Sequence, residues 1–346
     1  MSAGGLPSVV ETGRTMAHAF AGEAARERFA RMVEDGTPPN TARAYDSDRA
    51  YFRSWFEISG FGEPELPIRP DILVRFVVDH SEGLEPQIDA ALVAAGVKAK
   101  PGLQRISTVS RRMAAIATWH RRAGYPSPLA GGPVHEAMRV ARKAAARRGF
   151  RPRNKKAAVR ETLQTLLANK IAPSSADVRD DAMLLFAFAS GGRRRSEVAE
   201  ARIELLEEVD GDYVYHLGIT KTEQEGSDRK VPIAGPAAVA LRAWLSLVGC
   251  SEGPIFRSID RHGRIGTRHL NGRAVARVVQ RRAAAAGLDP KAFGGHSLRS
   301  GFVTEAGRQG KNLFEAMALS GHRSVQTVSR YHQAGTALSN EAARLL

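Results

Sequence analysis

The sequence has almost no cysteine and no long apolar run. A single Cys250 among 346 residues excludes an intramolecular disulfide framework and a cysteine-rich zinc site. No apolar segment approaches the roughly 20 residues that cross a bilayer, so no membrane partner is expected. Residues 1–11 lack the basic start and the apolar segment of a secretory signal. Together these absences predict a cytoplasmic protein.

Aromatic residues are also scarce. They make up 6 % of the chain, whereas hydrophobic residues reach 43 %, so the cores must be mainly aliphatic and rich in alanine. At roughly 150 residues per domain, the length predicts two domains.

Acidic residues are too few to balance the basic ones. The chain has 51 Lys and Arg against 36 Asp and Glu, which leaves a formal net charge of +15. Ten basic residues and no acidic one lie between Arg139 and Arg160. A linker made soluble by charge would tolerate mixed signs, so this stretch indicates contact with a polyanion, most simply DNA phosphates. The expected DNA contacts within it are Arg139, Arg142, Lys143, Arg147, Arg148, Arg151, Arg153, Lys155 and Lys156.

Helical periodicity dominates the first half of the chain. Apolar residues recur at helical spacing over 42–58, 71–80, 107–122 and 135–148. The predicted organisation is a helical or mobile extension over 1–36, a helical DNA-binding domain over 37–148 and a basic linker over 149–160. The arginines on the outer faces of these helices are further candidates for DNA contact: Arg43, Arg111, Arg112, Arg121 and Arg122.

The second half mixes helices with a small sheet. Residues 213–220 alternate in polarity, and a polar turn leads into 229–233, which predicts a β-hairpin or a three-stranded sheet. The predicted fold is therefore mainly α, with a mixed α/β domain over 161–346. Its helices are predicted over 161–170, 177–190, 236–248, 269–286, 298–310, 313–320 and 324–332.

Several short motifs in this half could carry chemistry. His296 and Arg299 lie three residues apart at the start of a predicted helix, where both could reach one anion near free backbone N–H groups. Three arginines, 193–195, follow a Gly-Gly turn, and Glu197 comes three residues after Arg194. Each motif by itself has an ordinary structural reading: a capping histidine or solvated arginines.

Three more residues extend this pattern. Lys221 follows a predicted strand, His322 follows Gly321 in a turn, and Tyr331 comes nine residues later. Taken in order, the set resembles the tyrosine recombinase (phage integrase) family, and within it the Cre-type recombinases. The resemblance covers about 37–346 and is strongest over 185–346.

The resemblance implies a metal-independent and cofactor-free reaction. Tyr331 would attack a DNA phosphate and form a covalent 3′-phosphotyrosyl bond, which stores the energy for rejoining. Fixed cations stabilise the charge that develops on the phosphate oxygens. The implied roles are Arg194 and Arg299 as phosphate clamps, His322 as a donor to a non-bridging oxygen, His296 as a proton-transfer partner of the tyrosine, Lys221 as general acid and Glu197 as the carboxylate that orients the cluster.

The resemblance also implies an assembly on duplex DNA. Two protomers would bind inverted repeats, two such sites would form a tetramer, and strands would exchange through a Holliday junction in the nucleoid. The tail 332–346 would dock on a neighbouring subunit. Two departures are visible: the Cre protein has tryptophan at the position of His322, where most of the wider family has histidine, and 81–102 looks like an insertion.

Rival functions remain open at this point. A type IB topoisomerase or a telomere resolvase would use the same tyrosine chemistry with a different outcome. A catalytically silent DNA-binding protein would retain the fold without the reaction. RNA binding is disfavoured because no aromatic-rich sheet motif is present.

Overall fold

The chain folds into helices and two small antiparallel sheets, which confirms the predicted fold class. In this computed structural model the described residues are 28, 31–32, 36–37, 39–150, 155–168, 174–218 and 229–336. Two compact units, Met1–Pro152 and Arg153–Leu346, divide the chain. The finer domain boundaries stay predictions, and most of the extension 1–36 lies outside the described residues. No helix in the described part is long and apolar enough to cross a membrane.

Five helices build the described part of the N-terminal unit. Helix α1 packs on α4 and α2 packs on α5. Helix α3 lies inside the stretch read as an insertion and buries Ile88 and Leu92 against the rest of the unit. The bounds are α1 Pro39–Ile58, α2 Pro70–Glu82, α3 Pro86–Ala94, α4 Ile106–Arg122 and α5 Gly132–Arg147.

Many of the chain's aromatic residues are concentrated in this core. Phe52, Trp55 and Phe56 project from α1, and Phe76 projects from α2. The rings of Trp55 and Phe76 meet edge to face with 4.9 Å between centroids. Such pairs stabilise a fold by about 1 kcal/mol beyond the burial of their area. A compact aromatic centre therefore holds the helices that carry the predicted DNA-facing arginines.

The placement of Arg112 on an outer face is wrong. Only 7 % of this residue is exposed, and its guanidinium lies over the ring of Tyr51, 3.0 Å from the centroid. Its Nη1 donates to Gln104 Oε1 over 2.7 Å, and its Nε lies 3.6 Å from the carboxylate of Asp48. A buried guanidinium with these partners is a core residue, so Arg112 is withdrawn as a DNA contact.

The buried His80 makes the stability of this unit dependent on pH. Burial lowers the pKa of His80 to about 3, and the ring is hydrogen-bonded to Tyr51 Oη and Phe76 O. In the unfolded chain His80 takes up a proton near pH 6.5, whereas in the folded protein it does so only near pH 3. The contribution of His80 to the free energy of unfolding is therefore fully present above pH 6.5 and is lost as the pH falls toward 3. We expect the free energy of unfolding to decrease by about 2 kcal/mol between pH 6.5 and pH 5. Chemical denaturation of the full chain at both pH values measures it.

The matched variant for this prediction is His80→Gln, which retains hydrogen-bonding capacity but cannot titrate. Its stability should change less between pH 6.5 and pH 5 than that of the wild type. An equal change in both proteins would show that other groups cause the acid sensitivity.

The C-terminal unit combines eight helices with five strands in its described part. Strands β1, β2 and β3 form an antiparallel sheet, and β4 pairs with β5. This second pair was not predicted from the sequence. The bounds are α6 Arg160–Ala168, α7 Ser175–Ala189, α8 Arg195–Ala199, β1 Leu206–Val209, β2 Asp212–His216, β3 Lys230–Ile233, α9 Pro236–Val248, β4 Arg257–Ile259, β5 Ile265–His269, α10 Gly272–Ala285, α11 Gly295–Arg308, α12 Leu313–Ser320 and α13 Val325–Thr336.

Helices α11 and α13 pack backbone against backbone. A Cβ on Gly307 would lie 2.4 Å from His332 O, and one on Gly335 would lie 2.2 Å from Thr304 O. Side chains larger than glycine are therefore excluded from this contact. The close approach sets α13 against α11 and so brings Tyr331 near the start of α11, 35 residues earlier in the chain.

Candidate active site

Arg299 is fixed in the first turns of α11. The residue is 4 % exposed, and its Nη1 donates to Gly192 O over 2.9 Å and to Ser320 O over 2.8 Å. Its Nη2 is buried and has no hydrogen-bond partner among the described residues. One arm of the guanidinium is therefore held by the protein, while the other keeps a donor for an anion.

The environment of Arg299 suits a bound negative charge. Burial and then the neighbouring Arg194 lower the pKa of Arg299 to about 9. The group is still a cation at neutral pH, but its charge is poorly compensated. A phosphate beside it would relieve the repulsion from Arg194 and satisfy the remaining donor.

Arg194 lies at the start of α8, next to Arg299. Its Nη1 donates to Glu197 Oε1 over 2.6 Å, and its backbone N–H donates to Glu197 Oε2 over 3.1 Å. The preceding Gly192 has a φ of +71°, and a Cβ there would lie 2.5 Å from Arg299 Cα. Only glycine permits the loop to approach α11 this closely, so the turn places the Arg194–Glu197 pair at the site.

The three consecutive arginines have different surroundings. Arg193 is 3 % exposed and donates to Leu319 O, whereas Arg195 is exposed and its side chain passes along Gly272 and Gly295. The charge of Arg194 depresses the pKa of Arg299 more than that of Arg193 does. This favours Arg194 as the clamp, which stays a prediction.

His296 and Tyr331 meet at the mouth of the site. His296 Nε2 lies 3.2 Å from Tyr331 Oη. Burial, followed by the nearby charge of Arg299, lowers the pKa of His296 below its usual 6.5. The ring is therefore neutral at pH 7 and can accept a proton from the phenol.

His322 occupies the turn after α12. Gly321 ends that helix with a φ of +69°, and Ser320 Oγ lies 2.7 Å from His322 Nδ1. Burial, then Arg299 and Arg194, lower the pKa of His322 to about 4. When the serine hydroxyl donates to Nδ1, the proton of the neutral ring is on Nε2, which can donate to an anion.

We expect His322 to be neutral in the free protein at pH 6, and His296 to take up a proton at a lower pH than a free histidine does. Burial and nearby cations lower the pKa of both rings, that of His322 to about 4. Ring ¹⁵N shifts measured from pH 4 to pH 8 test this, with His296→Gln and His322→Gln used to assign the signals. A His322 signal that showed the charged form at pH 6, or a His296 ring that titrated at or above the usual pKa of histidine, would contradict it.

The structure thus brings together six of the predicted site residues, all in the C-terminal unit. Lys221 lies outside the described residues, between β2 and β3. No group of three metal-ligating side chains occurs in the part of the chain that the structure describes. The six are Arg194, Glu197, His296, Arg299, His322 and Tyr331.

Most of the predicted DNA-facing residues are exposed. Arg111, Arg139 and Arg148 pair with Asp48, Glu136 and Glu82, respectively. Arg151 and Arg153 lie outside the described residues, as does the tail beyond Thr336, whereas His332 is still part of α13. Exposure by itself does not assign a DNA contact, so the set stays a prediction: Arg43, Arg111, Arg121, Arg122, Arg139, Arg142, Lys143, Arg147, Arg148, Lys155 and Lys156.

The sequence analysis did not include a group of exposed arginines in the C-terminal unit. Its exposed arginines lie on the β4–β5 turn, on β5 and on α10. The four-residue spacing of Arg273 and Arg277 on α10 was the available signal, because it places both on one helix face. The members are Arg261, Arg264, Arg268, Arg273 and Arg277.

A phenol beside a neutral histidine, with fixed guanidinium groups around it, suits transfer of a phosphoryl group to tyrosine. Together with the exposed arginines and lysines, this site is typical of an enzyme that breaks and rejoins DNA strands.

The phage integrase family model matches residues 158–337. An integrase/recombinase xerD homolog of Selenomonas ruminantium is 30 % identical over 321 residues, covering 90 % of this chain and 86 % of the relative.

Two further proteins are similar over most of their length. Tyrosine recombinase XerD of Bifidobacterium longum is 28 % identical, covering 86 % of this chain and 88 % of the relative. The solved XerH site-specific recombinase matches with a TM-score of 0.58 at 14 % identity, over 97 % of this chain and 88 % of that one. The chain belongs to the phage integrase family and is a tyrosine site-specific recombinase. The narrower Cre-type resemblance stays a prediction.

Proposed function

We propose that the protein cuts and rejoins duplex DNA through a covalent 3′-phosphotyrosyl intermediate formed by Tyr331, without a metal. The observation that carries this proposal is the 3.2 Å contact between Tyr331 Oη and the neutral His296 Nε2. A free phenol with a pKa near 10 is about one-thousandth ionised at neutral pH, so it needs a base in contact.

The proposed step balances without a co-reactant. Tyr331 Oη attacks the scissile phosphorus, and its proton passes to His296 Nε2. The bond between phosphorus and O5′ breaks, and the leaving oxygen receives a proton from Lys221. In the reverse step a 5′-hydroxyl of another strand gives its proton to Lys221 and attacks the phosphorus. The bond between phosphorus and Tyr331 Oη breaks, and the released tyrosine regains its proton from His296.

Three groups would stabilise the charge on the non-bridging oxygens. Arg299 offers its buried Nη2, Arg194 is held in place by Glu197, and His322 offers its Nε2 proton. Because these groups are fixed before the substrate arrives, little reorganisation is needed during the reaction.

We propose that recombination takes place in a tetramer on two sites with inverted repeats, through a Holliday junction. The similar XerH recombinase was solved bound to a palindromic substrate, which supports a site with two-fold symmetry for this protein. Within the predicted tail 332–346, the part up to Thr336 belongs to α13 and packs on α11 of the same chain. Docking on a neighbouring subunit is therefore proposed only for 337–346. The exposed arginines and lysines of the predicted DNA-facing set, together with the exposed arginines of the C-terminal unit, are proposed to bind DNA phosphates in the cytoplasmic nucleoid. The affinity for DNA should therefore fall steeply as the salt concentration rises.

Covalent capture tests this function. Nicked genomic fragments are incubated with the protein in EDTA, denatured in detergent, and the protein-linked DNA is sequenced. We expect one adduct peak at an inverted repeat. Adducts scattered over many sequences would instead support a topoisomerase, and DNA binding without adducts would overturn the catalytic proposal.

A further inference from the structure

Arg193 is the most buried of the three consecutive arginines. It is 3 % exposed, whereas the side chain of Arg194 is 28 % exposed and Arg195 is an exposed residue. Burial of a guanidinium is costly unless hydrogen bonds and charges compensate for the lost water. Its partners therefore indicate what the residue does.

Those partners lie at the end of α12 and at the site carboxylate. Arg193 Nη2 donates to Leu319 O over 2.6 Å, and Nη1 lies 3.9 Å from Glu197 Oε2. The last carbonyls of a helix have no partner within the helix and form its negative end. A buried cation is well placed to bind one of them.

Arg299 binds the next carbonyl, that of Ser320, over 2.8 Å. Two buried guanidinium groups thus hold two successive carbonyls at the end of α12. The hydroxyl of Ser320 in turn contacts Nδ1 of His322 over 2.7 Å. The backbone N–H of Arg193 is itself fixed, since it donates to Ala187 O over 2.9 Å.

We propose that Arg193 is a positioning residue that holds the end of α12 and thereby places His322 at the scissile phosphate. The proposal rests on the proposed function, because it assigns Arg193 a role through His322. Because Nη2 of Arg193 donates to the end of α12 and Nη1 lies 3.9 Å from Glu197 Oε2, the proposal assigns its charge to these groups and not to the phosphate.

A double-mutant cycle with His322→Ala tests this role. Arg193→Met keeps an unbranched apolar stem but removes the donors and the charge. We expect adduct formation at the captured site to slow by about 10- to 100-fold, within the range of couplings between residues of one hydrogen-bond network, with unchanged DNA affinity. Arg193→Met should slow a His322→Ala protein by less than about threefold. If the two rate effects multiply in the double variant, or if Arg193→Met alone forms adducts at the wild-type rate, the proposal is overturned.

The matched control is Arg257→Met. Arg257 is another buried arginine of the same unit, and it donates to Pro254 O and Glu252 O. Its loss should lower the melting temperature without a selective loss of cleavage. Arg193→Lys retains a cation with a donor and should recover part of the rate, which a general loss of packing would not explain.

A second readout does not depend on the reaction. In the free protein, Arg193→Met should move the His322 Nδ1 resonance by changing its contact with Ser320, whereas Arg257→Met should leave it in place. If the wild type forms no adduct but this shift is seen, the proposed function fails while the positioning contact holds. An unchanged resonance would overturn the positioning role in either case.

Discussion

Tyr331→Phe should abolish covalent adducts while leaving DNA binding unchanged. The substitution removes only the hydroxyl that contacts His296, so the ring can keep its place in α13. Loss of a nucleophile costs about 10⁶-fold in well-studied enzymes. End-labelled suicide DNA, resolved on a denaturing gel, measures adducts, and a shift assay measures binding.

Tyr213→Phe is the matched control for that experiment. Tyr213 lies on β2 in the core of the same unit, where Arg242 stacks on its ring. Because the ring is retained, adduct formation should stay at the wild-type level. Adducts that persisted in Tyr331→Phe would remove Tyr331 as the nucleophile.

Arg299→Ala should lower the cleavage rate by about 10³- to 10⁵-fold, the range seen when an arginine that stabilises phosphoryl transfer is lost. Arg299 supplies a fixed cation and a buried unpartnered donor, so much of its effect should arise in the transition state. Single-turnover cleavage with saturating protein measures the rate. Arg299→Lys should recover little, because an ammonium cannot hold two carbonyls and the phosphate with the same geometry.

The substrate itself can separate the charge of Arg299 from its structural role. A methylphosphonate at the scissile position removes the negative charge of one non-bridging oxygen. Arg299→Ala should then be impaired much less, relative to wild type on the same DNA. An equal defect on both substrates would assign the loss to a displaced turn at Ser320 and Gly192, the two carbonyls that Arg299 binds.

Helix positions were largely predictable because apolar spacing reports the buried face directly. The pattern over 107–122 differs by one residue from α4, which spans Ile106–Arg122. Strands β4 and β5 were missed because they contain three and five residues and have no regular alternation of burial. Short strands take their conformation from pairing with a distant partner, which local periodicity does not report.

Arg112 shows where residue type misleads. A charged residue between apolar positions is ordinarily solvated, yet this one lies over Tyr51 beside Asp48. The three partners that make its burial tolerable are Tyr51 and Asp48 on α1 and Gln104 in the loop before α4. No local pattern predicts such a meeting.

Periodicity, composition and residue type are local properties, so the helical class, the excess of positive charge and the ordered set of chemically capable residues can be derived from the sequence. Which of these groups act together depends on the folded protein. It placed Tyr331 against His296 through the glycine contact of α11 with α13, and it distinguished Arg193 from Arg194 by their partners. Burial and neighbouring charge also set the protonation of His296 and His322. Both depend on residues that are distant in the chain, so only the folded protein brings them into effect.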